Sequence, residues 1–120
     1  MDRPQGFSRN NRLLRLADFK RVYASRARVA DGALRVAAVS NGLPVARLGI
    51  VVSRRAVSAA VARNRLKRFV RETFRRRRMS LTGLDIVVTV ERQAAALSNR
   101  EFVAALQMLF AKLSHAEATD

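Results

Sequence analysis

The sequence predicts an α+β fold, a small α/β sandwich in the order α-β-β-β-α-β-α. Segments at 33–39, 46–52 and 84–90 are short, apolar and β-prone. Two longer segments, at 59–76 and after Ser98, repeat their apolar residues at helical spacing. With 49% hydrophobic residues in 120, the chain can bury one core, which suits one domain.

Residues 1–12 read as a flexible basic arm, because Pro4, Gly6, Ser8, Asn10 and Asn11 oppose regular structure. Residues 16–25 read as a short helix, with Phe19, Val22 and Tyr23 on one face and Asp18 near its positive end. A short strand is expected near 28–30. In the strand at 33–39, Leu34 and Val36 face one way and Arg35 the other. Asn41-Gly42 then signals a turn, and Pro44 restricts the loop. The strand at 46–52 becomes apolar on both faces, which suggests an inner strand covered on both sides.

Ser58 is the candidate N-cap of a helix from 59 to 76. Ala62, Leu66, Phe69, Val70, Thr73 and Phe74 form its apolar stripe. Asn64, Lys67, Arg68, Arg71 and Arg75 occupy the opposite face, with Arg63 and Arg65 toward its edges. Gly83 breaks the chain before the strand at 84–90. Ser98 with Glu101 three residues later is a capping-box signature. The helix it opens presents Phe102, Leu106, Leu109, Phe110 and Leu113 on one face, and a frayed tail is expected over 115–120. The expected domain spans 13–114, with helices packed mainly on one face of a sheet.

Charge is the outlying property. There are 24 Lys+Arg against 9 Asp+Glu, a formal net charge of +15. Residues 63–78 hold nine basic residues and one acid, whereas 79–120 hold three basic and five acidic. A helix face with a few lysines is ordinarily just solvated surface. Nine cations in sixteen positions repel one another with little internal relief, and a polyanion relieves that cost. Arginine offers a planar fork of donors matched to phosphate oxygens, and asparagine can reach a sugar hydroxyl or base edge. A helix lines these groups along one rigid rail.

Several classes are excluded or disfavoured. With no cysteine, neither a disulfide framework nor a Cys-based zinc site is available. The single histidine, His115, disfavours histidine-dependent nucleophilic catalysis and excludes a multi-histidine metal site. No catalytic residue and no metal ligand is assigned, because acids are few and no carboxylate pair is arranged to hold two metals. No apolar run reaches the length of a membrane span, and the N-terminus lacks a signal-peptide core. A cytoplasmic location is expected, with no membrane and no small-molecule substrate.

At the basic helix the chain resembles the protein subunit of bacterial ribonuclease P. The resemblance rests on Arg63-Asn64-Arg65, with Lys67, Arg68, Arg71, Glu72 and Phe74 following in register. Arg47 to Arg55 resembles the strand leading into that helix. Asn11-Arg12-Leu13, Asp18-Phe19 with Val22-Tyr23, Asp85 to Val88, and Glu101-Phe102 also fit, so the likeness covers roughly 11–113. It implies a sandwich containing a left-handed βαβ crossover, against the general rule of handedness. It implies further that an RNA subunit carries catalysis with bound Mg2+, removing the 5′ leader of precursor tRNA as an endonuclease. The protein would bind that RNA and the single-stranded leader, and would require no cofactor alone.

By the same resemblance, Arg54, Arg55, Arg63, Asn64, Arg65, Lys67, Arg68 and Arg71 would contact the catalytic RNA. Phe19, Tyr23 and Arg12 would contact the leader. Core packing is the alternative for Phe19, and a solvated arm for Arg12 and Arg15. Arg76, Arg77 and Arg78 extend the rail or merely solvate the helix end. Two departures stand out: Ala56-Val57-Ser58 lacks the glycine many members carry, and Glu91 stands where a basic residue is common. The competing readings are a structural RNA-binding module of the same fold, such as a ribosomal protein, and a DNA-binding protein using the basic helix in a major groove.

Overall fold

The computed structural model describes residues 16–113. Its elements run α1 (Leu16–Tyr23), β1 (Ala27–Ala30), β2 (Leu34–Ser40), β3 (Arg47–Val51), α2 (Ala60–Arg77), β4 (Leu84–Val90), a short 3-10 helix (Arg92–Ala96) and α3 (Asn99–Lys112). The expected order is present. The 3-10 turn was not foreseen, because its sequence carries no periodic apolar pattern and buries only Ala94. The expected arm over 1–12, with Arg12, and the tail over 115–120 lie outside the described residues.

The strands form one sheet in the order β1-β2-β4-β3. β2 runs antiparallel to β1 and β4, whereas β3 runs parallel to β4. Parallel neighbours need a long crossover, and α2 supplies it. The expectation of an inner strand at 46–52 is corrected: β3 pairs with β4 alone and stands at the edge. The inner place belongs to β4, buried along almost its whole length. The reason is that apolar patterning reports which faces are covered, not which edges are paired. β3 is covered on both faces, since Leu48 joins the main core while Val51 packs beside α1.

One face of the sheet (Leu34, Val36, Ala38, Leu48, Ile86, Val88) packs against α2 and α3 through Leu66, Val70, Phe74, Phe102, Leu106 and Phe110. Each fully buried Leu or Phe contributes roughly 1.5–3 kcal/mol by leaving water. The other face carries a smaller cluster, in which Val22 and Phe19 of α1 meet Val39, Val87, Ala37 and Val51. The helices are thus unequally shared, two on one face and one on the other.

Local signals explain the element ends. Ser98 accepts the Glu101 N–H at 3.1 Å, and the Ser98 N–H donates to the Glu101 carboxylate at 2.8 Å. This is the expected capping box. The N-cap expected at Ser58 is corrected, since Ala59 occupies that position and no side chain caps it. Ser53 instead closes the turn that follows β3: its hydroxyl accepts the Ala56 N–H at 3.1 Å, and its carbonyl the Val57 N–H at 3.0 Å. The turn over 54–56 therefore closes without glycine, and no non-glycine residue among those described has positive φ. Gly42, at φ 68°, supplies the left-handed residue of the turn after β2. Among the described residues, no helix is long and apolar enough to cross a membrane.

Candidate nucleic-acid interface

The site is built on α2. Its 18 residues contain no glycine or proline, and they divide by face as 3.6-residue periodicity requires. Leu66, Val70, Thr73 and Phe74 are buried, with Ala62 and Phe69 half-buried against the core. Asn64, Arg65 and Arg68 are exposed, while Lys67 and Arg71 are half-buried at the flanks of the stripe. Phe69 is braced by the Phe102 ring, with centroids 6.3 Å apart, so α3 fixes the roll of α2. Among the described residues, no carboxylate lies within ion-pair distance of Asn64, Arg65, Lys67, Arg68 or Arg71. These groups keep their donors for an external acceptor.

Arg63 behaves differently. Its guanidinium donates to the carbonyls of Val57 and Ser58 at 2.9 and 2.8 Å. It therefore ties the helix start to the preceding loop. Sequence patterning cannot reveal this, because the turn-back depends on the loop's path. Arg54 and Arg55 are exposed on that loop, just beyond the end of β3.

A second feature lies on the opposite face of the sheet. Tyr23, Arg28, Ala30, Arg35, Ala37 and Thr89 line a recess of about 170 Å³ beside α1. Its floor is small and apolar, and its rim is aromatic and cationic. Tyr23 is 42% exposed, whereas Phe19 is half-buried and packs on the smaller cluster. The two rings stand 6.3 Å apart with planes tilted by 44°. Tyr23 thus offers a ring to the recess, while Phe19 chiefly packs behind it. Arg28 and Arg35 were not singled out as site residues. The available signal was their alternation with apolar residues in β1 and β2, which puts both on the face away from the main core.

α1 is held over that face by ions as well as by Val22. Asp85 on β4 is fully buried. Arg47 donates to it through Nε and Nη2 at 2.8 and 2.7 Å, and Asn41 donates at 2.9 Å. Arg21 of α1 also donates to Asp85, and to the Ser40 carbonyl at 2.9 Å. Burial alone pushes the Asp85 carboxyl up. The hydrogen bonds from Arg47 and Asn41, with the charges of Arg47 and Arg21, outweigh burial and hold it below the ordinary carboxylate range. The hydrogen bond to Asp85 in turn holds the Arg47 guanidinium above its usual pKa, against the opposing effect of burial.

At the C-terminal ends of β3 and β4, Ser53, Arg55, Ala56, Glu91, Arg92 and Gln93 line another recess. Glu91 forms an ion pair with Arg35. Among the described residues, no group of three or more His, Cys, Asp or Glu side chains is placed to hold a metal ion.

The ribonuclease P family model matches residues 7–114, nearly the whole chain. The chain belongs to the ribonuclease P protein family. A ribonuclease P protein component from Chromobacterium violaceum is 40% identical over 113 residues, covering 94% of this chain and 93% of that one. One from Pseudomonas putida is 39% identical, covering 96% and 87%. Among solved structures, the Staphylococcus aureus ribonuclease P protein at 2.0 Å superposes with a TM-score of 0.76 at 30% identity, covering 85% of this chain and 95% of that one. The Thermotoga maritima protein, in complex with 1-(4-fluorophenyl)-2-thiourea, gives 0.75 at 32% identity, covering 85% and 100%. The ribonuclease P protein fold thus accounts for the parallel β3–α2–β4 unit that places the basic helix.

Proposed function

We propose that this chain is the RNA-binding subunit of a ribonuclease P ribonucleoprotein, an endoribonuclease whose reacting centre is in its RNA. The outer face of α2 docks on the catalytic RNA. Asn64, Arg65 and Arg68 supply donors to phosphate and sugar, flanked by Lys67 and Arg71, with Arg54 and Arg55 extending the contact along the loop. Arg63 acts mainly by fixing the start of that helix. The observation that carries this reading is a rigid row of donors that no carboxylate among the described residues neutralises, in a chain of this family.

The recess beside α1 takes the single-stranded 5′ leader of precursor tRNA. Stacking on Tyr23 tolerates any base, at about 1–3 kcal/mol per base, and Arg28 and Arg35 attract the backbone. We assign Arg12 to the same contact by its match to the family motif. Tolerance suits a surface that must accept leaders of many sequences. Mg2+ ions bound mainly by the RNA would supply the activated water and the charge stabilisation of the cleavage step. The protein works in the cytoplasm, where precursor tRNA is matured.

Reconstitution tests the proposal. The purified protein alone leaves precursor tRNA intact. Added to a matching catalytic RNA, it restores cleavage at lower magnesium than the RNA needs by itself. A catalytic RNA that gains nothing from the protein, in affinity or in magnesium requirement, refutes the reading.

A further inference from the structure

The Arg35–Glu91 ion pair links the linings of the two recesses. Arg35 borders the cleft that contains Tyr23 and Arg28, whereas Glu91 borders the recess that contains Arg55 and Arg92. Backbone pairing fixes the two residues as diagonal neighbours on one face of the sheet. Arg35 lies opposite Thr89 in the sheet register, and the Glu91 N–H donates to the Ala33 carbonyl at 2.8 Å. Among the described residues, Glu91 is the sole acid lining either recess, whose cations are Arg28, Arg35, Arg55 and Arg92.

A carboxylate offers a guanidinium the same pair of oxygen acceptors that a phosphate does. Here both partners keep water: the Arg35 side chain is 62% exposed and that of Glu91 33%. An ion pair so exposed is weak, and an incoming anion can exchange for it. Resting on the reading of the cleft as the leader site, we propose that Glu91 is a built-in competitor for the RNA backbone. It holds Arg35 in the free protein and is displaced by a phosphate of single-stranded RNA crossing from the Tyr23 cleft to the Arg55–Arg92 recess. Glu91 thereby limits leader affinity, favouring a product strand that leaves.

The test uses the full chain and a fluorescein-labelled single-stranded octauridylate, followed by anisotropy at low salt. Glu91→Gln is expected to bind about two- to fivefold more tightly, the range an exposed ion pair permits. The gain should vanish when Arg35→Ala is added. Glu101→Gln changes the net charge equally from α3, outside both the rail and the two recesses, and keeps the capping box, so it should give a smaller gain. A gain that persists without Arg35, or one matched by Glu101→Gln, overturns the proposal by reducing the effect to net charge. Unchanged binding by Glu91→Gln also overturns it. Tyr23→Ala separates this failure from that of the cleft reading. If it weakens binding while Glu91→Gln does nothing, only the competitor role is lost. If it leaves binding intact, the cleft reading falls, and this inference with it.

Discussion

Leu66 and Arg68 sit two positions apart on one helix and do opposite work. Leu66 is 6% exposed in the main core, and Arg68 faces water with no ion-pair partner among the described residues. Leu66→Ala should cost about 2–5 kcal/mol of stability, read from urea denaturation. Arg68→Ala should leave the melting temperature nearly unchanged. It should weaken binding to the catalytic RNA and flatten the slope of log K against log salt by about 0.9 for each lost duplex phosphate contact. Arg63→Ala should behave differently from both, because it releases the carbonyls of Val57 and Ser58 and loosens the helix start. Asp85 makes a third kind of residue. Its carboxyl is more acidic folded than unfolded, so it contributes stability above its unfolded pKa, near 4, and loses it as pH falls through the depressed folded value. The urea midpoint should therefore drop below about pH 4. Asp85→Asn should be less stable at neutral pH and converge with the natural protein in acid. If the difference between them does not narrow as pH falls below about 4, the ion network is not its source.

Among the elements, α2 and α3 were largely legible. Their apolar stripes follow from helical spacing, and the Ser98–Glu101 box formed as its spacing implied. Ser98→Ala should cost about 1 kcal/mol, measurable as a shift in melting temperature. What escaped the sequence were contacts between elements. The edge position of β3, the turn-back of Arg63 and the Arg35–Glu91 pair all depend on neighbours brought together by the crossover. An acid inside the apolar run Leu84–Val90 was a visible hint of a buried charge, but its partners Arg21, Asn41 and Arg47 come from three separate segments. The aromatic helix α1 was legible as a helix, and its anchoring was not. Because α1 carries both Phe19 and Tyr23, Arg21→Ala should weaken binding of leader-bearing precursor while sparing binding of the catalytic RNA. A comparison of precursors with and without a leader checks this; equal losses on both would refute it.

At the scale of the whole molecule, the net charge of +15 is spent on direction rather than on solubility alone. The guanidinium rail lies on the outer flank of α2, over one face of the sheet, and the aromatic cleft opens on the other. Two strands of RNA can therefore be held at once, meeting only near Arg55. Holding the first makes capture of the second an intramolecular event, so the relevant quantity is an effective concentration set by the distance across the molecule. A sheet backed by a packed helix is a stiff spacer, and avidity gained through it needs no strong grip at either end. Each hold can remain loose enough for turnover while the pair together retains an uncut precursor.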